Sequence, residues 1–219
     1  MISYTDIINN EEIKTYIEQA DKSLICLGYT EHSFAHVLRT ANTAENILTQ
    51  MGYDERTVEL GKIAAYMHDM GNVINRIDHA QSGAVMAFKI LDKLNMDPKE
   101  IAAIIAAIGN HDEHTAAPVN ELAAALILAD KSDVRRSRVR NKDIAGFDIH
   151  DRVNYAVEKS WLAMNEESKI ITLYLVIDNS ISKVSEYFEI FLGRMLLCRR
   201  AADFFDMNFE VNVNGSRVM

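Results

Sequence analysis

Residues 64–73 read AAYMHDMGNV, and the fold is read outward from them. Ala64, Ala65 and Met67 give this stretch the apolar face of a buried helix. Inside it stand His68 and Asp69, an imidazole and a carboxylate side by side. These two side-chain types are favoured by mid-series divalent metals. Neighbours on a helix point about 100° apart, so one ion can take both only over the helix edge. Further ligands must then come from other segments. His36 lies upstream, and His79, His111 and Asp130 lie downstream, each on or at the end of a stretch with helical spacing.

The 219 residues allow one large domain or a main domain with a small appendage. With 48% hydrophobic and 25% charged residues, the chain has the composition of a globular protein with a substantial core. Its 23 basic against 32 acidic residues give a net charge of −9, which argues against general affinity for a phosphate backbone. Cys26 and Cys198 show neither metal spacing nor a disulfide framework and read as free thiols. The opening MISYTDIINNEEIK lacks a cationic region followed by an apolar core, and no apolar run is long enough to span a bilayer. The expected setting is cytoplasmic, with no membrane partner.

Taken in order, Ile13, Ile17, Ala20, Leu24 and Leu27 predict a first helix over about 9–27, ending at Gly28. Phe34, Val37, Leu38, Ala41, Ala44, Ile47 and Leu48 predict a second, from about Glu31 to Met51. Asp54 caps a third that runs into His68 and Asp69, with Gly71 bending the chain directly after them. A fourth covers about Asp78 to Leu94, with His79 in its first turn. The DPKE at 97–100 places Asp as cap, Pro first in the helix and Glu three residues past the cap, launching a fifth. Gly109 stops it, which leaves His111, Asp112 and His114 on a loop. A sixth, about Val119 to Val134, delivers Asp130.

Beyond residue 145 the texture changes. Residues 153–163 and 169–177 are rich in β-branched and aromatic types, and NEES at 165–168 is a plausible turn between two hairpin strands. Ser182 to Phe205 reads as one amphipathic helix, and FEVNVNG as a third strand. Tyr187, Phe188, Phe191, Leu192, Met195 and Leu196 form an apolar stripe expected to pack on the sheet. The predicted class is mainly α: a helical domain over 1–145 and a small C-terminal α+β module over 146–219, with antiparallel strands covered by one long helix. Apolar surface left over, or an edge strand, suits a homodimer through that module.

His36, His68, Asp69 and Asp130 supply two nitrogens and two carboxylates, a mixed set typical of Mn, Fe, Co, Ni or Zn. His79 and His111 add nitrogens for a second ion if Asp69 bridges. A paired site suits phosphoryl chemistry. Read singly, each of these histidines is equally an ordinary core or capping residue. Six of the seven histidines precede residue 115, which fits a site in the helical part.

The order His … His-Asp … His … His … Asp on successive helices resembles the HD superfamily of metal-dependent phosphohydrolases, over roughly residues 30–135. HVLRTANTAENIL is similar to that family's first ligand helix, AAYMHDMGN to its doublet helix and ALILADKSD to its last ligand helix. The resemblance implies His36, His68, Asp69 and Asp130 as metal ligands. It implies His79 and His111, in DHAQSGA and IGNHDE, as ligands to a second ion in the two-metal branches. Two departures stand out. Many members carry Lys where this chain has Asn72; Asn can still hydrogen-bond a phosphoryl oxygen but brings no charge, which leaves room for another cation to substitute. The Gly-Tyr-Pro signature of the cyclic-di-nucleotide branch is absent after His111, where DEHTAAP stands.

Other groups extend the candidate site. Asp69 is expected to act in catalysis as well as ligation, and Asp112 and His114 are candidate ligands, proton carriers or solvated loop residues. His32, four before His36, reads as a polar first-turn residue, or else as an added ligand, a group behind the ligands or a proton carrier. In KSDVRRSRVRNK, a helix continuing past Asp130 aligns Lys131, Arg135 and Arg138 on one stripe. With Asn72, they are candidate substrate contacts, or else a solvated face paired with the chain's own carboxylates. The patch is short and lacks interleaved aromatics, so duplex nucleic acid is not expected as a partner. The leading expectation is hydrolysis of a nucleotide or other small phosphate ester (a phosphomonoester or phosphodiester) by a metal-activated hydroxide, with one or two divalent ions. The alternative is a catalytically silent nucleotide- or metal-binding sensor or scaffold, motivated by Asn72 and the added module.

Overall fold

The computed structural model describes every residue except His114, Ile144 and Ala145. Short polar caps start its helices. Ser3 caps α1 (Tyr4–Ile8) and Asn10 caps α2 (Glu11–Cys26), whose Ile13, Ile17, Ala20 and Leu24 turn inward. α3 (Phe34–Gln50) starts at Ser33, whose hydroxyl accepts from the Ala35 amide, so the helix begins later than periodicity predicts and His32 lies outside it. Asp54 caps α4 (Glu55–Met67), and a 3₁₀ turn (Met70–Val73) follows. α5 spans His79–Lys93; α6 (Pro98–Gly109) has the expected Asp97 cap and leading proline.

α7 (Glu121–Lys131) is the hub: Leu122 through Ala129 are all buried, and it packs on α3, α4 and α6. It stops three residues short of the predicted end. Ser132 caps it; its hydroxyl donates to the Ala129 carbonyl, and its own carbonyl accepts from the Ser160 hydroxyl. A short 3₁₀ turn, Arg136–Arg138, follows.

The C-terminal part opens with α8 (Ile149–Ala156), where a strand is predicted from residue 153. Asp148 caps it through the Asp151 amide, and Val153 and Ala156 bury one helical face, so local capping overrides the β-branched texture. β1 (Val157–Asn165), β2 (Ile170–Ile177), β3 (Asn208–Val213) and β4 (Ser216–Arg217) form one sheet in that order. Along β2 the expected alternation holds, with Ile171, Leu173, Leu175 and Ile177 buried. β1–β2 is antiparallel, as expected, and β3 pairs antiparallel with the unpredicted β4, but β2 and β3 run parallel, pairing Leu173 with Val211. α9 (Val184–Phe204) makes the difference, because a helix crossover returns the chain to the end of the sheet where β2 began.

α9 buries Tyr187, Phe191, Met195, Cys198 and Ala202, a true three-and-four spacing, and also packs on α7. Leu192 and Leu196 of the predicted stripe sit about 100° farther round and stay exposed. One buried apolar cluster runs from α1 through α7 to the sheet. Among the described residues, no helix is long and apolar enough to cross a membrane.

Candidate metal centre and active-site cavity

The His68–Asp69 pair lies where α4 ends. His68 keeps helical angles as the C-cap, but Asp69 turns to φ −95°, ψ 0° and leads into the 3₁₀ turn. That change removes the divergence an unbroken helix imposes and brings His68 Nε2 within 3.1 Å of Asp69 Oδ2. Gly71 is required here by close approach rather than for bending. A Cβ on it would stand 1.9 Å from the His79 carbonyl oxygen and 2.5 Å from the Gly83 nitrogen. The doublet turn thus packs backbone-to-backbone on the first turns of α5. Asp78, in the left-handed region at φ 58°, redirects the chain so that His79 starts that helix.

Six side chains converge on this turn. Asp69 Oδ2 lies 3.6 Å from His36 Nε2, while Asp69 Oδ1 faces His79 Nε2 at 3.5 Å and His111 Nε2 at 4.0 Å. Asp130 Oδ1 is 3.2 Å from His36 Nε2 and 3.8 Å from His68 Nε2. Asp69 therefore stands between two imidazole groups, one oxygen toward each. The ligand atoms of His36, His68 and Asp130 all lie within 4.8 Å of one another, as do those of His68, Asp69 and His111.

The outer ring nitrogens explain this convergence. His68, His79 and His111 each direct Nδ1 at the carbonyl three residues earlier: Ala65 at 2.7 Å, Arg76 at 3.0 Å and Ile108 at 2.6 Å. A carbonyl only accepts, so the proton sits on Nδ1 and the Nε2 lone pair is left for the centre. His36 differs, because its Nδ1 meets the Asp133 carboxylate at 2.8 Å. Asp133 is buried and is itself held by Arg135 Nε at 2.8 Å and Arg39 Nε at 3.1 Å. Sequence reasoning missed Asp133, since nothing local marks an acidic residue that works on a ring 97 positions away.

His36 Nε2, His68 Nε2 and Asp69 Oδ2 are buried without a hydrogen-bond partner, although the last two approach closely, because their geometry is off the bonding direction. Orphaned lone pairs in a dry site are costly unless a cation meets them. Four imidazoles and two carboxylates are donors of the type a divalent transition metal takes, and the cluster fits such an ion. Burial raises the pKa of Asp69, but neighbouring His68 outweighs it and holds the carboxyl well below the ordinary range. Burial is likewise outweighed at Asp130, chiefly by Lys131. Burial and the charges of His68 and Lys131 push His111 down to about 3, which leaves its ring neutral for ligation.

A cavity of about 400 Å³ opens on this cluster, bordered by Tyr29, His32, Arg76, Lys131, Phe191 and Arg194. α8 contributes His150 and Asp151 to the same wall, and its cap residue Asp148 a second carboxylate. A larger groove of about 540 Å³ between α3 and β1 carries none of the six converging side chains.

The family model for the HD domain matches residues 33–135. Residues 33–135 are an HD domain. HD-superfamily proteins are in general hydrolases. The chain is also similar to an uncharacterized protein of Methanocaldococcus jannaschii, 25% identical over 199 residues that cover 80% of this chain and 76% of the other. Among solved structures it is similar to a predicted HD superfamily hydrolase from an uncultured Thermotogales bacterium, at 26% identity and a TM-score of 0.46, over 57% of this chain and 67% of that one.

Around the HD domain's cluster, several predicted contacts are placed differently. Asn72 is buried, and its amide donates to the Asp69 carbonyl at 2.9 Å and to Asp69 Oδ1 at 3.0 Å, so it braces the carboxylate instead of lining the cavity. Lys131 and Arg138 do line it, but Arg135 does not; its guanidinium is spent on Asp133 and Glu31. The three never form a stripe, because α7 ends at Lys131 and Arg135 is extended. Asp112 is half-buried beside His111, its carboxyl lowered because Lys131 and His79 outweigh the effect of burial. His114 falls outside the described residues. His32 lines the cavity from a loop, Nδ1 held by the Thr30 carbonyl at 2.7 Å. Tyr29, Arg76 and the α8 residues were also missed, since no spacing links them to the histidines.

Proposed function

We propose that this chain is a divalent-metal-dependent phosphohydrolase acting on a nucleotide or another small phosphate ester. The observation that carries this reading is the Asp69 carboxylate standing between two imidazole groups, 3.6 Å from His36 Nε2 on one side and 3.5 Å from His79 Nε2 on the other. His36, His68, Asp69 and Asp130 would hold one ion, and His79 and His111, sharing Asp69, a second. When bound, such ions supply Lewis-acid activation of water and of phosphoryl oxygens. The chain's own residues do the rest. Asn72 fixes the Asp69 carboxylate, and Lys131 and Arg138 place positive charge on the cavity wall where an anionic ester would lie. Asp112 stands beside His111, its carboxylate held in the ionised form chiefly by Lys131 and His79 against the effect of burial.

The test is elemental analysis with a phosphate-ester screen, on wild type and on Asp69→Ala. Wild type should carry stoichiometric metal and turn over at least one ester, and the variant should lose both. Unchanged metal content in Asp69→Ala would defeat the assignment. Tight nucleotide binding by wild type with no product after long incubation would make the site a sensor.

A further inference from the structure

Four cations border the cavity besides its histidines, and they differ in what they already hold. Lys131 Nζ lies 2.8 Å from Asp130 Oδ2 and also faces Glu113. Arg194 Nε is paired with Glu113. Arg138 gives Nε to the Glu31 carbonyl at 2.8 Å and Nη1 to the Asp133 carbonyl at 2.7 Å. Arg76 stands apart. Among the described residues it has no carboxylate within 4.0 Å, and only its Nη1 is engaged, at 3.2 Å from Asn72 Oδ1 and 3.5 Å from His79 Nε2.

Its Nε and Nη2 thus remain unspent. These are the adjacent donors with which a guanidinium forks onto two oxygens of one oxyanion. The group is held in place: its carbon lies 5.5 Å from the centre of the Tyr29 ring, which lines the same cavity, and the Asn72 contact limits its rotation. Its backbone is held as well, because the Arg76 carbonyl receives His79 Nδ1. One residue therefore orients a ring of the cluster through its main chain and presents a free fork to the cavity through its side chain.

We propose that Arg76 is the residue that grips the oxyanion of the substrate, taking two oxygens of a phosphoryl group through Nε and Nη2 beside the His79–Asp69 side of the cluster. This rests on the phosphate-ester reading above. It also accounts for how a neutral Asn72 is accommodated: that amide braces Asp69 and Arg76 while the arginine carries the charge.

The test compares wild type, Arg76→Gln and Arg76→Lys as full-length, Mn²⁺-loaded protein. Inorganic phosphate affinity is read by calorimetry, metal content by elemental analysis, and KM and kcat on any ester that wild type hydrolyses. Loss of a charge-assisted fork should weaken phosphate binding about 10- to 100-fold in Arg76→Gln, with metal content unchanged. Arg76→Lys, which keeps charge but loses the fork, should fall between. Phosphate affinity within twofold of wild type in Arg76→Gln overturns the proposal, as does loss of metal, which would place Arg76 behind His79 only. Should Arg76→Gln fail to fold, wild-type phosphate affinity in Arg76→Lys overturns the fork. If wild type hydrolyses no ester, the phosphohydrolase reading fails while the phosphate comparison still decides Arg76. Turnover by Arg76→Gln with wild-type KM and phosphate affinity would remove Arg76 and keep the hydrolase.

Discussion

Replacing Asp133 by Asn keeps the shape of the side chain and removes its charge. In the native protein this carboxylate is 3% exposed and accepts from His36 Nδ1 at 2.8 Å. Arg135, Arg39 and Arg138 surround it at 2.8, 3.1 and 3.7 Å. Two separable losses follow. Without the anion, His36 becomes a weaker and less firmly oriented donor, and partners of this kind are worth about 10- to 100-fold in metal affinity. Without the ion the fold should also suffer, because three guanidiniums lose their shared counter-charge. Breaking a buried pair costs about 3–5 kcal/mol. Arg39 is 47% exposed at its side chain and can rehydrate, so we expect the lower end, about 3 kcal/mol. Burial raises the Asp133 pKa, but the His36 hydrogen bond and Arg138 outweigh it and hold the carboxyl far below its ordinary range. A depressed carboxyl stabilises the fold above its unfolded pKa of about 4 and loses that contribution as pH falls through the folded value. The gap between wild type and Asp133→Asn should therefore be full at neutral pH and close progressively below about pH 4. Urea unfolding of the metal-free proteins measures the first quantity, and Mn²⁺ titration of the folded proteins the second. Asp133→Asn with wild-type Mn²⁺ affinity and unchanged urea midpoint would show that the carboxylate neither orients His36 nor anchors the arginines.

Gly71→Ala places a methyl against two backbone groups that cannot swing away, so it should cost about 3 kcal/mol in urea unfolding and weaken metal binding by displacing His79. A variant as stable as wild type would mean the two turns part easily. Leu173→Ala, in the fully buried middle of β2, should cost about 2–5 kcal/mol without altering the metal content of folded protein. Saturating Mn²⁺ at a thousandfold its Kd should stabilise the chain by about 4 kcal/mol, reversed by a chelator; a midpoint blind to metal would count against the centre. Burial pushes the Cys198 thiol from near 9 up to about 12, whereas Cys26 is exposed, so a thiol reagent at pH 8 should label one cysteine quickly and the second only after unfolding. Because that pKa is raised, its stabilising contribution is present below about pH 9 and lost as pH climbs toward 12.

What could be read without coordinates was whatever the chain encodes over one or two turns. Asp54, Asp97 and Pro98 announce helix starts because caps act on amides two or three residues away. Ile171, Leu173, Leu175 and Ile177 announce one buried sheet face because strand side chains alternate. The histidines and aspartates announce a common centre through the resemblance that their order along the chain carries. The tertiary structure decided what rests on distant partners. α7 stops at Lys131 where Ser132 meets Ser160; Asp133 turns back to His36 across 97 residues; and β3 lies parallel to β2 because α9 crosses over between them. Asn72 and Arg135 were legible as polar residues near the site, but not as braces for Asp69 and Asp133, since a side chain's partner is set by packing. Local propensity chooses the elements, and only their assembly chooses which charges face one another.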